Sequence, residues 1–504
     1  MNGQPVLTLL LSGEAATRRL GEDLALSLSI GDCVALSGDL GAGKSTLARA
    51  LIRAIADDEQ LEVPSPTFTL VQLYDLRLPV AHFDLYRLGD AHELDELGFD
   101  EALSQGVCLV EWPDKAGDLL PTERISITFA YGTDDRRVTI AAPPAKLARI
   151  ARVLAIRTFL ADHGLADATR RHLTGDASSR AYEHVYTAGG ARLVLMDAPA
   201  SPKAAVLKDG RSYAEIVHLA RDVYPFVAID KTLRERGFAA PAIIHADCDQ
   251  GILLLEDFGS GSVLDAAGQP IPERYRASVA CLAALHATDF PRDISLADGH
   301  IHHIAEFDPE AMKTEAELLL DWHLPWRRGG PATNQDRAEF LSIWDGLIAQ
   351  LSAADTTLLL RDFHSPNIIW RDAAEGLQKV GLIDFQDAMI GPPAYDLASI
   401  IQDARVTIGP DLAATLMADY LRLRRAQGDF DEAAFLKSFA IMAAQRSCKL
   451  SGIWVRLMTR DGKPGYMKHM PRTLAYLSAA FEHEALSPLR DWCAKVGITT
   501  TESA

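Results

Sequence analysis

The stretch CVALSGDLGAGKSTLARALIRAIA, Cys33 to Ala56, decides the fold of the N-terminal part of this chain. Cys33–Ser37 is a short apolar run of strand character, and TLARALIRAIA places its apolar residues at helical spacing. Between them, GDLGAGKS (Gly38–Ser45) matches G-x-x-x-x-G-K-[ST] in the strand–loop–helix context that this pattern needs. The glycines let backbone N–H groups wrap phosphates at a helix N-terminus. Lys44 is expected to reach the β and γ phosphates, and Ser45 to offer its hydroxyl to Mg2+. Gly38, Asp39, Gly41, Ala42, Gly43 and Thr46 complete the expected nucleotide contact.

Such a loop needs a further acid to hold the metal or to position water. Glu111 directly follows the apolar run Val107–Val110, and Asp84 follows another short apolar stretch in AHFDLYRL, so both are candidates. GDLGAGKS, VPSPTFTLVQLY, HFDLYRL and LVEWPD, in this order and spacing, resemble the ATPase subunit of the bacterial tRNA threonylcarbamoyladenosine machinery. The resemblance implies weak ATP hydrolysis coupled to partner subunits, which carry the transferase chemistry on tRNA. It implies that Ser65, Pro66, Thr67 and Phe68 form a switch-like loop beside the nucleotide. Asp84 and Glu111 would be the catalytic acids near Mg2+ and the attacking water, with Ser45 and Glu111 on the metal and Trp112 beside the nucleotide. His82 is assigned no chemistry.

Composition limits the function classes. The chain has 504 residues, of which 48% are hydrophobic, enough for several packed cores and too many for a disordered chain. Lys and Arg total 50 against 69 Asp and Glu, a net charge of -19. Such an acidic chain is poorly suited to gripping nucleic acid by itself, so tRNA is expected only indirectly, through the partner subunits. No run of 18 apolar residues occurs, so no membrane span is expected. The start, MNGQPVLTLLLSGEA, does not read as a secretory signal. Six scattered cysteines without a CxxC pair suit reduced thiols, and a cytoplasmic location is expected.

The clearest seam is AAPPAKLARI, Ala141–Ile150. RISITFAY and RRVTIAA before it read as two strands joined by a turn, and RVLAIRTFLADHG after it reads as a helix. The expected division is a domain over 1–142, a linker over 143–152 and a second domain over 153–504. AYEHVYTA, ARLVLMDAP and GILLLEDF make the first part of that second domain strand-rich, a small lobe of about 153–257. RYRASVACLAALHA, AEFLSIWDGLIAQL and LAATLMADYLRLRRA make the remainder, 258–504, a helical lobe, interrupted near Leu358–Ala388 by two short strands.

That interruption carries a second constellation. LLLRDFHSPNIIW places Asn367 five positions after Asp362, and VGLIDFQDA puts Asp384 directly after an apolar strand. In kinases this spacing supplies a base and two metal-holding side chains around the phosphates. The whole set resembles the aminoglycoside phosphotransferase and choline kinase superfamily. RDFHSPN, LIDFQDA, GPPAYDLAS, QRSCKLSGIWVRL and RDGKPGY resemble within it the kinases that phosphorylate the anomeric hydroxyl of N-acetylmuramate or N-acetylglucosamine in cell-wall recycling. The resemblance implies Asp362 as catalytic base, Asn367 and Asp384 on Mg2+, and Glu256 in LLLEDF on the hinge beside adenine. It implies that Asp396 braces the catalytic loop, and that Arg446, Lys449 and Arg456 line the acyl-sugar side.

Two departures from the family pattern stand out. ARLVLMDAP has Met196 and Asp197 near the place where many kinases carry a lysine, so Arg180 and Lys203 become candidates for the phosphate-binding cation. Leu360 and Arg361 stand where many relatives have His and Gly. The expected fold is an α/β P-loop NTPase domain followed by a two-lobed α+β protein-kinase-like domain. The expected function is a bifunctional fusion using ATP and Mg2+. Its alternatives are a second domain acting on an aminoglycoside, choline or homoserine, or serving as a regulatory pseudokinase, and a first domain acting as a GTP-using switch or a small-molecule kinase.

Overall fold

The apolar run at Cys33–Ser37 becomes β2, buried along nearly its whole length and central in a seven-stranded sheet. This computed structural model describes residues 6–131, 135–173, 180–201 and 205–498. Its contacts divide the chain into two compact units, Met1–Asp197 and Ala198–Ala504.

In the first unit β1 (Val6–Leu11) leads into α1 (Gly13–Ala25), and β2 leads through the glycine loop into α2 (Lys44–Ala56). β3 (Val71–Tyr74) and β4 (Val80–Asp84) form a hairpin. Short helices α3 (Glu93–Glu96) and α4 (Phe99–Gln105) precede β5 (Val107–Glu111). β6 (Ile125–Tyr131) and β7 (Arg136–Ala141) then complete the sheet in the order β1-β7-β6-β2-β5-β4-β3. β2 pairs in parallel with β5 and β6, and β4 in parallel with β5. Parallel central strands with helical crossovers are covered on both faces, and here two apolar clusters flank the sheet. Helices α1 and α2 touch closely at Gly21, where a Cβ would lie 2.8 Å from that of Ala50.

The expected linker is a helix. α5 spans Pro144–Asp162, with Pro144 in the first turn, where its fixed φ suits helix entry. Leu147 and Ile150 join the same core as β2 and α2, so burial of this apolar stripe outweighs any tendency of the prolines to keep the segment open. β8 (Thr169–Leu173), β9 (Ala181–Tyr186) and β10 (Arg192–Asp197) follow as antiparallel strands. Arg170 on β8 is fully buried. It bonds both oxygens of Glu183 at 2.7 and 2.9 Å, Asp23 on α1 at 2.9 Å and the Val153 carbonyl at 2.8 Å. This shared cation ties β8 to β9, α1 and α5 within the first unit.

The second unit begins with a strap. β11 (Val206–Lys208) and β12 (Arg211–Ser212) form a short ribbon, followed by α6 (Tyr213–Ile216), whose N-terminus carries a Ser212–Glu215 capping box. α7 (Tyr224–Glu235) and the antiparallel pair β13 (Ile243–Asp247) and β14 (Ile252–Glu256) come next. Beyond them lie α8 (Pro272–His286), the pair β15 (Asp293–Ser295) and β16 (Ile301–His303), and α9 (Pro309–Ala316). A π-helical turn at Leu319–His323 connects to α10 (Leu324–Arg328), and α11 spans Asn334–Ala349.

The interruption contains four short strands rather than two. β17 (Thr357–Leu359) pairs with β20 (Met389–Gly391), and β18 (Ile368–Trp370) with β19 (Val380–Leu382). Three-residue strands are too short to show alternation, so β18 and β20 escape a reading by periodicity. α12 (Ala394–Ile401) and α13 (Pro410–Ala426) are followed by α14 (Glu432–Thr459), the longest helix described, and by α15 (Met470–Ala480) and α16 (Ser487–Val496). Gly452 on α14 is required by a close approach, since a Cβ there would sit 2.2 Å from the Leu318 carbonyl oxygen. Among the described residues no helix is long and apolar enough to cross a membrane.

Candidate functional site

The first site gathers at the carboxyl ends of β2, β4 and β5, as expected for an open parallel sheet. Gly38, Gly41 and Gly43 all take positive φ (139°, 79° and 116°), so the loop needs glycine at these turns. A Cβ on Gly38 would lie 2.8 Å from the Phe129 carbonyl oxygen. The Lys44 ammonium donates to the carbonyls of Gly38 and Asp39 at 2.8 and 2.9 Å and lies 3.9 Å from the centre of the Trp112 ring. Burial lowers its pKa, against the opposing pull of Glu111 and Asp84. Ala42 is buried beside the loop and its N–H donates to the Asp39 carbonyl. Thr46 faces elsewhere, into a pocket shared with Arg49 and Arg53.

Both candidate acids come to this loop. Ser45 Oγ donates to Glu111 Oε2 at 2.7 Å, while His82 Nε2 lies 3.0 Å from Glu111 Oε1. Asp84 Oδ2 accepts from Ser65 Oγ and Thr67 Oγ1, both at 3.0 Å. β4 and β5 run in register with Asp84 opposite Glu111, which places the two carboxylates side by side. Phe68 is exposed on the same loop, under the Arg87 guanidinium. His82 is the partner that the sequence reading left unassigned. Its signal was a polar residue in a fully buried strand, two positions before Asp84 and hence on the same side of the sheet.

The second site is built on the loop between β17 and β18. The Asn367 amide donates to the Asp362 carbonyl at 3.0 Å and to Asp384 Oδ2 at 3.3 Å, so the three expected residues meet. Asp384 has φ 60° and accepts from Gln386 at 2.8 Å. The Gln386 carbonyl oxygen beside it is buried without a donor among the described residues. Asp396 accepts the Leu360 and Arg361 N–H groups at 2.6 and 2.9 Å, which braces the loop as expected.

A buried chain of alternating charge surrounds Asp362. Arg361 pairs with Glu315 on α9 and also donates to the Val217 carbonyl of the strap at 3.0 Å. Glu315 takes Lys449 of α14 at 2.7 Å. Burial alone raises the Asp362 carboxyl, but Lys449, His364 and Arg361 outweigh it and hold it below the usual carboxylate range. Glu315 is likewise raised by burial and more strongly lowered by Lys449 and Arg361. Arg361 itself has φ 64°, a left-handed conformation that glycine adopts without strain. Here the ion pair holds a strained non-glycine residue in position. Arg446 is buried and donates to the Gln402 carbonyl at 3.4 Å.

The remaining candidates are placed less centrally. Glu256 ends β14, where its carboxylate takes the Ala242 N–H and Arg371, both at 3.1 Å, so this side chain ties the β13–β14 hairpin to the segment after β18. Arg180 directly precedes β9 in the first unit. Lys203 and most of GDASSR lie outside the described residues. Asp197 pairs with Arg152 at 2.5 Å, and Met196 is buried.

A glycine cradle closed by lysine, hydroxyl and paired acids in one unit, and an Asp–Asn–Asp loop in the other, define a phosphotransferase joined to a nucleotide-loop α/β domain. Residues 169–436 match the family described as "Phosphotransferase enzyme family", and residues 11–139 match "Threonylcarbamoyl adenosine biosynthesis protein TsaE". The N-acetylmuramate/N-acetylglucosamine kinase of Caulobacter vibrioides is 34% identical over 352 residues, covering 68% of this chain and 95% of that protein. The protein of the same name from Pseudomonas putida is 28% identical, covering 60% and 81%. The tRNA threonylcarbamoyladenosine biosynthesis protein TsaE of Rickettsia felis is 38% identical over 131 residues, covering 26% of this chain and 76% of that one. The chain therefore belongs to the phosphotransferase enzyme family, with a TsaE family domain at its N-terminal end.

Proposed function

We propose that the second site transfers the γ-phosphoryl group of ATP to the anomeric hydroxyl of N-acetylmuramate or N-acetylglucosamine in cell-wall recycling. The meeting of Asp362, Asn367 and Asp384 carries this reading, and the names of the relatives supply the substrate class. Asp362 accepts the sugar hydroxyl proton, the sugar oxygen bonds to the γ-phosphorus, and the bond to the bridging oxygen breaks to release ADP. The transition state is loose, so orienting the hydroxyl matters more than basicity, and a carboxylate kept ionised by Lys449 and Arg361 suits that task. Asn367 and Asp384 fit Mg2+ because their oxygens, with the Gln386 side-chain oxygen that has no donor among the described residues, form a hard donor set. When bound, the metal neutralises phosphate charge.

The first domain, residues 1–142, we read as a P-loop ATPase serving tRNA threonylcarbamoyladenosine modification with the other subunits of that machinery, touching tRNA only through them. Lys44 and the glycine loop hold ATP, Ser45 and Glu111 fit Mg2+, Asp84 orients water and Trp112 flanks the nucleotide. Residues 153–504 we read as a two-lobed kinase, with Glu256 as its hinge residue. The protein works in the cytoplasm.

The test uses the full chain with Mg2+-ATP and each amino sugar, with mass spectrometry for the sugar 1-phosphate. Product from the unmutated chain and none from Asp362→Asn supports the reading. ATP turnover without sugar phosphate across both sugars removes it.

A further inference from the structure

The loop that carries Asp362 is gripped from the α12 region at two points. On the entry side, Asp396 in the first turn of α12 takes the Leu360 and Arg361 N–H groups, and Ser399 of the same helix donates its hydroxyl to the Arg361 carbonyl at 3.2 Å. On the exit side the grip comes from Asp403, two residues past the end of α12, whose Oδ2 accepts the Ser365 N–H at 2.9 Å. Asp362 lies between the two grips. Asp403 is fully buried, and in the sequence it stands beyond GPPAYDLAS, outside every segment that marks the site.

The geometry of the turn shows why Ser365 needs this acceptor. Ser365–Asn367 is one short helical turn, and the first donors of such a turn find no partner within it. Pro366 has no N–H, and the Asn367 N–H is taken by the His364 carbonyl at 2.9 Å. That leaves the N–H of buried Ser365, which must be met from outside the turn. Asp403 meets it with a charged oxygen, which binds more strongly than a neutral one. The carboxylate is itself fixed. Its Oδ1 accepts the Arg405 N–H at 2.8 Å. From α15, Arg472 donates to the Ala404 carbonyl at 2.8 Å and to the Thr407 hydroxyl at 3.1 Å, and Tyr476 donates to the Asp403 carbonyl at 3.4 Å.

We infer that Asp403 is a positioning residue for phosphoryl transfer: by holding the Ser365 N–H it fixes the turn that sets Asn367 between the Asp362 carbonyl and Asp384. This rests on the reading of Asp362, Asn367 and Asp384 as the transfer site. Asn367 reaches both partners through one amide group, so a shift of the turn takes it off both at once. Without Asp403, the α12 region holds the loop on its entry side alone. A misplacement of about 1 Å in such a site costs up to about 100-fold in rate.

The experiment uses the full-length chain. Asp403→Ala lowers kcat for sugar 1-phosphate formation about ten- to hundredfold and leaves KM for the sugar within about twofold. Asp403→Asn keeps the shape and one acceptor oxygen, and recovers part of that loss. Asp403→Ala made on top of Asn367→Ala lowers kcat by less than about threefold further, because the group it positions is already gone. Hydrogen exchange read by mass spectrometry shows 365–367 losing protection while 360–361 and the rest of the second unit keep theirs. A loss in the Asn367→Ala background as large as in the unmutated chain overturns the assignment, and so does protection lost across the whole second unit in both Asp403 variants. An unmutated chain that phosphorylates neither sugar removes the amino-sugar reading, and the exchange pattern then decides the Asp403 assignment by itself.

Discussion

The two sites solve the problem of placing carboxylates near phosphate in different ways. In the first, Glu111 and Asp84 stand at adjacent strand ends and accept bonds from hydroxyls and an imidazole. One cation, Lys44, adjoins them, and it is turned onto the loop carbonyls. In the second, Asp362 lies within the fields of Lys449 and Arg361, which Glu315 pairs, and the loop itself is pinned by Asp396. Hydroxyl contacts are exchanged at small cost, whereas a buried ion series comes apart only with large loss. The first arrangement suits a site that rearranges with nucleotide and partner. The second suits a site prebuilt for transfer.

This contrast predicts separable losses. Asp362→Asn lowers sugar phosphorylation about 1000-fold or more, while ATP hydrolysis by the first domain stays unchanged. Measuring both activities on one preparation decides the matter, and a parallel fall of both in folded protein breaks the two-site description. Lys44→Ala gives the mirror image, abolishing the slow ATPase and sparing sugar phosphate formation. Glu315→Ala strands Arg361 and Lys449 in the interior and destabilises the second unit by about 3–5 kcal/mol, read by denaturant titration. An effect on the scale of a surface pair would show that the series is not the brace described here.

Two smaller effects sharpen the comparison. His82→Phe removes the imidazole from Glu111 Oε1 and lowers ATPase turnover about tenfold, with little change in nucleotide affinity. Asp230 on α7 is buried, its Oδ1 without a partner among the described residues, and burial raises its pKa to about 7 against the pull of Arg234. The folded state therefore holds a proton between about pH 4 and pH 7 that the unfolded chain releases, and stability falls as pH rises through that window. Asp230→Asn flattens this slope, and melting temperatures from pH 5 to pH 8 test it.

Much of the fold was legible because the motifs are local. The glycine loop sits between its strand and helix, and Asp362, Asn367 and Asp384 lie within one short segment whose spacing alone brings them together. The strands and long helices follow from period. What escaped depends on distant partners. The stretch 143–152 has the composition of a linker, yet its apolar residues find a core and it folds as helix. Glu315 carries no motif, and becomes a counter-ion only when α9 packs on α14.

The residue types and their spacing in the sequence determined that this protein has two phosphate-handling loops and which side chains they present. Hydrogen-bonded turns of a few residues need no distant contact to define them. Only the tertiary structure decided which charges are paired and which remain open. Arg170 is closed by Asp23 and Glu183, and Arg361 by Glu315, while the Asp230 Oδ1 has no partner among the described residues. The reason is physical: the energy of a charge depends on its desolvation and on neighbours within a few ångströms, and both are set by packing between segments far apart in the chain.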